Sequence, residues 1–247
     1  MTGRTKLVIA YDGAPFAGWQ SQLHRNTIQD QLEAAVHRIT GEPARVHGAG
    51  RTDTGVHALG QCAHLDLVTD KFEPEALRTA LNAVLPSSLR VLRCQRVSAT
   101  FHARFSAIGK VYRYRIWNGP VLPPFEEGRV WHITSALDEE TLRAVLSLYK
   151  GRHDFAGFAA SGGKPAEDTV RTIRTARLKR RGHHLTIELE GDGFLYKMVR
   201  LLVGTMVLCS QGKMTVSDVS QRLREGAGGG RRLVAPAAGL ILVRVRY

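Results

Sequence analysis

Residues 61–97, QCAHLDLVTDKFEPEALRTALNAVLPSSLRVLRCQRV, change their hydrophobic period twice. Gln61, Ala63, Leu65 and Leu67 alternate with Cys62, His64 and Asp66, the two-residue period of a half-buried strand. From Pro74 the period lengthens, and Ala76, Leu77, Ala80, Leu81 and Val84 recur at helical spacing. Proline suits a first helical turn, where its missing N–H is no loss, and Pro86 stops the run. Residues 89–97 return to a strand pattern.

The reading extends in both directions. Residues 4–11 form a strand, followed by a loop rich in glycine and aromatics, YDGAPFAGWQ (11–20). Thr27 is placed to cap a helix bearing Ile28, Leu32, Ala35, Val36 and Ile39, and Gly41 ends it. Residues 45–50 are a short strand, so the first half runs β-α-β-β-α-β. The second half repeats that order: a strand at 110–117, a helix at 138–150 stopped by Gly151, a hairpin at 170–180 and 184–190, an apolar helix at 194–209, a short polar helix at 215–224 and a closing strand at 240–245. The expected fold is mixed α/β (α+β), with two split βαβ-type domains at 1–104 and 105–247. Their mainly antiparallel sheets are expected side by side, with helices on one face and an active cleft between the domains.

Composition narrows the partner. The chain has 35 Lys and Arg against 22 Asp and Glu, a net charge of +13. Residues 1–105 hold 12 basic and 9 acidic side chains, and residues 106–247 hold 23 and 13. Arginine accounts for 27 of the basic residues and lysine for 8. The planar guanidinium fork suits phosphate and stacks on bases, so this bias points to nucleic acid. A hydrophobic share of 43% and a charged share of 23% are those of a folded protein and argue against disorder. The longest apolar run, 201–209, is far short of the ~18 residues of a membrane span. The N-terminus passes straight into a strand pattern, without the apolar core and cleavage site of a secretion signal. Cys62, Cys94 and Cys209 are scattered and odd in number, which fits a reduced, cytoplasmic protein. They offer neither a disulfide framework nor paired zinc ligands, and no metal is expected.

The segment 50–58, GRTDTGVHA, is the main candidate for chemistry. It lies between two strands and gathers two glycines, an arginine, an aspartate and a histidine. Glycoside hydrolysis normally needs two carboxylates, and Asp53 has no second one nearby in sequence. A lone carboxylate suits a reaction that activates no water: nucleophilic or base chemistry at a sugar–base linkage, shielded from solvent. Arg51, or Arg200 from the other half, would keep it ionised. Other glycine patterns fail. GFAASGGK (157–164) has the wrong spacing for a phosphate loop, and Pro165 replaces its hydroxyl residue. Residues 226–232, GAGGGRR, read as a flexible surface loop. In the run Arg171, Arg174, Arg177, Lys179, Arg180 and Arg181, the spacing mixes both strand faces, so half are expected to reach phosphate.

Taken together, several segments resemble the tRNA pseudouridine synthase A family. They are YDGAPFAGWQ, GRTDTGVHA, FHARFSAIGKVYRYRI, GRHDFAGFAA, GDGFLYKMVRLLVGTMV and APAAGLILVRVRY, in the family's order and spanning nearly the whole chain. The resemblance implies that Asp53 is the catalytic aspartate and that Arg51 helps flip the target base and fills its place in the stack. It further implies that Tyr112 stacks on the flipped uracil, Arg200 pairs with the aspartate and Leu240 lines the pocket. The implied substrate is tRNA, with uridines isomerised on the 3′ side of the anticodon stem-loop by a homodimer that needs no organic cofactor or metal. Asp192 stands where many members carry asparagine. The rival readings are an RNA-binding module without catalysis and another RNA-modifying enzyme, such as a methyltransferase.

Overall fold

A computed structural model describes residues 3–23, 26–68, 72–160, 168–226 and 231–247. The chain divides into two compact units, Met1–Ile108 with Ile241–Tyr247, and Gly109–Leu240. The first unit runs β1 (Gly3–Tyr11), α1 (Ile28–Thr40), β2 (His47–Gly48), β3 (His57–Leu67), α2 (Pro74–Val84) and β4 (Leu89–Val97), the order read from the sequence. The second runs β5 (Gly109–Trp117), β6 (Trp131–His132), α3 (Glu139–Leu148), β7 (Gly151–Asp154), β8 (Val170–Arg181), β9 (His184–Gly191), α4 (Met198–Ser210) and α5 (Val216–Glu225). A last strand, β10 (Leu240–Arg246), closes the chain.

In the first unit β1 is central, antiparallel to β3 on one side and to β4 on the other. Leu7, Ile9 and Tyr11 point from β1 into the core, which also takes Ile28, Leu32 and Val36 of α1 and Leu77 and Leu81 of α2. The caps follow the sequence. Thr27 accepts the Asp30 N–H, and Gly41 takes the left-handed φ of 75° that ends α1. In the second unit the order is β5-β9-β8-β7, all antiparallel, with β6 parallel to β5. Among the described residues no helix is long and apolar enough to cross a membrane.

The structure departs from the sequence reading at four places. First, β10 pairs in parallel with β3, Ile241 opposite His57 and Leu242 opposite Ala58. The closing strand therefore belongs to the first unit, and the stretch 105–247 is not one contiguous body. Periodicity marks a strand but carries no information on which sheet accepts it. Second, α4 begins at Met198 rather than 194, because Lys197 adopts a left-handed φ of 56°. Third, Gly151 does not simply stop α3: with φ 110° it starts the short edge strand β7. Fourth, β3 is buried on both faces. Cys62 and His64, expected to face solvent, are each 2% exposed. Cys62 packs on Ala49 and Ala103 with Phe101 and Val245, and His64 stacks on His47 and meets His102 edge-on. Residues 161–164 and 227–230, which include parts of the two glycine-rich segments noted above, lie outside the described residues.

That second buried layer makes an acid-sensitive spot. The His64 Nδ1 accepts the Ala103 N–H at 3.1 Å. Burial, then the neighbouring His102, His47 and Arg4, pull its pKa down to about 4. The unfolded chain titrates near ~6.5, so it binds the proton first. The contribution to stability is complete above that value and is lost as pH falls through the window down to about 4. His64→Asn, whose Oδ1 takes the place of Nδ1 and keeps an acceptor for Ala103, should flatten the decline of Tm between these values. An unchanged decline would assign the sensitivity elsewhere.

Candidate active site

Residues 49–56 join β2 to β3 and carry Arg51, Thr52 and Asp53. The Val56 N–H closes a turn on the Asp53 carbonyl at 3.1 Å. Its third residue, Gly55, has φ 78°, a conformation that explains the glycine. Thr52 is the anchor. Its carbonyl accepts the Trp19 N–H at 3.0 Å, and its hydroxyl shares a 2.9 Å hydrogen bond with the Tyr11 hydroxyl at the end of β1. Burial raises the Tyr11 hydroxyl to about 12, so it keeps its proton at neutral pH. On the near side, the Gly50 carbonyl accepts from the Gln61 amide at 2.9 Å.

The segment 11–20 presses directly on this loop. A Cβ on Gly18, whose φ is 85°, would sit 2.8 Å from the Thr52 carbonyl oxygen. One on Gly13 would sit 2.5 Å from the Val56 carbonyl carbon and closer still to its oxygen. Two sequence segments, YDGAPFAGWQ and GRTDTGVHA, therefore form one structure: a short loop clamped on both sides, with Asp53 half-buried and Arg51 exposed. The Arg51 Nε donates to the Gln20 Oε1 at 3.0 Å.

Tyr112, Arg200 and Leu240 lie in the second unit. Tyr112, 8% exposed on β5, meets the Phe194 ring edge-on, with centroids 5.0 Å apart. Tyr114, two residues on and on the same strand face, is fully buried, and its hydroxyl donates to the Pro236 carbonyl at 2.8 Å. Arg200, on α4, donates from Nε to the Ala235 carbonyl at 2.7 Å, and the Ala235 N–H returns a bond to the Arg200 carbonyl at 3.1 Å. Gly239 lets this strap pass close to β5: a Cβ there would lie 2.6 Å from the Tyr114 ring. Within this unit, Arg200 and Tyr114 both grip residues 235–236, just before the buried Leu240. Asp192 accepts the Thr172 N–H at 3.0 Å and 3.2 Å, which gives it a structural task at the end of the β8–β9 ladder.

The profile of the tRNA pseudouridine synthase family matches residues 7–106 and 145–247. The chain belongs to that family. The tRNA pseudouridine synthase A of Akkermansia muciniphila is 41% identical over 251 residues, covering 99% of this chain and 95% of its own. That of Bradyrhizobium sp. (strain BTAi1) is 43% identical over 245 residues, covering 99% of each. That of Methylacidiphilum infernorum is 40% identical over 242 residues, covering 98% of this chain and 94% of its own. As a tRNA pseudouridine synthase the chain is an isomerase. The stretches matched to the family include Arg51, Asp53, Arg200 and Leu240, whereas Tyr112 falls between them.

In this family member the residues that clamp the aspartate loop were not singled out as site residues by sequence reasoning. They are Tyr11, Gly13, Gly18, Gln20 and Gln61. The signal present was the cluster of glycines and aromatics at 11–20, but nothing local says which loop it braces. The arginine run also resolves. Arg180 is tied to Glu139 of α3, and Arg171 pairs with Asp168 at 3.7 Å. Arg177, Lys179 and Arg181 instead share an open sheet face with Arg113 and Arg115, around a cavity of about 350 Å³.

Proposed function

We propose that this enzyme isomerises uridine to pseudouridine on the 3′ side of the anticodon stem-loop of tRNA, with Asp53 as the catalytic residue. The observation that carries this reading is the clamped loop: a loop with a single carboxylate, its backbone braced on both sides, beside an exposed arginine. A stem uridine must leave the stack before its glycosidic bond can be reached, at a cost of a few kcal/mol. Arg51 fills the vacated place and offsets that loss. Tyr112 offers a ring face to the extruded uracil, and stacking of that kind contributes ~1–3 kcal/mol. In this reading Arg200 and Leu240 keep the roles that the family resemblance implies, partner of the aspartate and apolar lining of the pocket.

The bond changes balance without any co-reactant. The N1–C1′ bond breaks, the uracil turns and a C5–C1′ bond forms. C5 then loses its proton to a base, and N1 gains one. Asp53 supplies the charge opposite the sugar as the first bond breaks. In this reading the enzyme acts as a homodimer, as the family resemblance implies, and in the cytoplasm, in keeping with its scattered cysteines.

Incubating unmodified tRNA transcripts with the protein, followed by carbodiimide labelling and primer extension, tests this. New stops confined to uridines 3′ of the anticodon support the reading. Stops elsewhere, or none, contradict the site or the reaction respectively. The open basic face makes a separate, smaller prediction. If Arg177 and Lys179 meet phosphate, the double alanine variant should weaken tRNA binding and lower the salt slope by about one per residue, with kcat unchanged. An unchanged slope would make that face a merely solvated one.

A further inference from the structure

The orientation of Arg51 is set by a chain of side-chain amides whose polarity is fixed at its far end. Gln29, in the first turn of α1, is 3% exposed and uses every donor and acceptor it has. Its Oε1 accepts the Ser21 backbone N–H at 3.0 Å, and its Nε2 donates to the Val46 carbonyl at 3.2 Å and to Glu33 Oε1 at 2.9 Å. A backbone N–H can only donate and a carbonyl can only accept, so this amide has one permitted orientation. The Gln29 Oε1 also takes the Gln20 Nε2 at 3.0 Å. That in turn leaves Gln20 with its oxygen pointing the other way, and this oxygen receives the Arg51 Nε–H at 3.0 Å. The polarity thus passes from two backbone groups through Gln29 and Gln20 to the guanidinium.

We infer that Gln20 is a positioning residue for Arg51, acting by holding the guanidinium by its inner nitrogen. A guanidinium has five N–H donors, and anchoring Nε leaves the four donors of the terminal nitrogens unused by this bond. An arginine that must enter a nucleic-acid stack otherwise gives up its rotamer freedom at that moment. The amide relay removes part of that freedom in the free enzyme. The inference rests on the proposed place of Arg51 at the substrate and adds what aims it. Sequence spacing alone does not join Gln20 to Arg51; the link appears only when the two loops meet.

The test is a double-mutant cycle of Gln20→Met and Arg51→Ala, read as single-turnover rate, tRNA Kd and Tm. Methionine keeps the length and bulk of glutamine and removes the acceptor. Gln20→Met alone should slow the single-turnover step by between about tenfold and the ~100-fold that an ångström of misplacement costs. Its tRNA Kd and Tm should stay at wild-type values. In the Arg51→Ala background the same change should add nothing, because its target is gone. Gln20→Glu restores an oxygen facing the guanidinium but sets its second oxygen against the Gln29 Oε1, so it should recover only part of the lost rate, with a lower Tm. If the two effects multiply instead, Gln20 acts on something other than Arg51 and the inference fails. If Arg51→Ala slows the enzyme but Gln20→Met does not, the inference fails and the role of Arg51 stands. If Arg51→Ala itself leaves the rate unchanged, the proposed role of Arg51 falls and the inference with it. Should Gln20→Met not fold, Gln20→Asn, which withdraws the amide by one methylene, carries the same cycle.

Discussion

Asp53→Asn should lower the rate of pseudouridine formation by at least ~10⁴-fold, in line with the loss of a catalytic group from a concerted site. The change removes a charge and almost no volume. The contacts that hold the loop at Thr52 and at the Asp53 carbonyl survive the substitution. The Asp53 carbonyl, which the substitution keeps, closes the turn with Val56, and Thr52 makes the bonds to Trp19 and Tyr11. Tm should therefore stay within a few degrees of wild type, the range of a half-exposed substitution. Binding of tRNA should also persist, because affinity for nucleic acid comes mainly from phosphate contacts. Rate measured beside Tm and Kd separates the possibilities. Retained turnover would remove Asp53 from the chemistry, and a collapse of all three quantities would make it structural.

Gly13→Ala should be the most damaging single methyl in the first unit. Gly13 does not have a positive φ, so alanine brings no backbone strain of its own. The penalty is steric: the new Cβ would sit 2.5 Å from the Val56 carbonyl carbon. The obstacle is backbone and cannot rotate away. Either the 11–20 segment or the aspartate loop must move, and the Gly13 N–H would leave the His57 Nδ1 it now reaches at 3.1 Å. A loss of a few kcal/mol in unfolding free energy is expected. In whatever folded protein remains, activity should drop ~100-fold or more, because displacing the loop by an ångström misplaces Asp53. Gly182→Ala is the control. Gly182 has φ 58° with nothing within 4 Å of its Cβ position, so it should show only a modest strain of ~1 kcal/mol and normal activity. Denaturant melts of the two variants side by side check this, and equal losses would refute the steric account of the clamp.

The first unit was legible in the sequence because its signals are local. Thr27 and Gly41 bracket α1, Pro74 and Pro86 bracket α2, and β1 alternates cleanly from Thr5 to Tyr11. What escaped was non-local. The periodicity of 240–245 announces a strand, yet only the pairing of Ile241 with His57 places it in the first unit. The alternation in β3 misleads for a related reason: its outer face is covered by residues near 101–103 and by Val245, distant in sequence. The start of α4 was misplaced because apolar spacing continues through 194–197, whereas Lys197 interrupts the helical backbone. The site divides the same way. Asp53 and Arg51 stand out from residue types packed into one loop. Tyr112 and Leu240 came from family resemblance alone, and Arg200 stood out beforehand only as one of two candidate partners for the aspartate, since an aromatic on a strand, an arginine on an apolar helix and a leucine at a strand start are ordinary structural residues. The clamp residues at 11–20 were visible as an unusual loop, but their partner was not, because loop-to-loop contact leaves no periodic trace.

The most direct measurement is release of tritium from tRNA labelled at C5 of uracil, with wild type and Asp53→Asn run in parallel. Forming the C5–C1′ bond must expel the hydrogen at C5. Release by the wild-type protein and none by the variant is the expected result, with both proteins binding the same tRNA. Equal release by the two proteins, or none from the wild type while tRNA binding is intact, would contradict the assignment of Asp53 and of the reaction respectively.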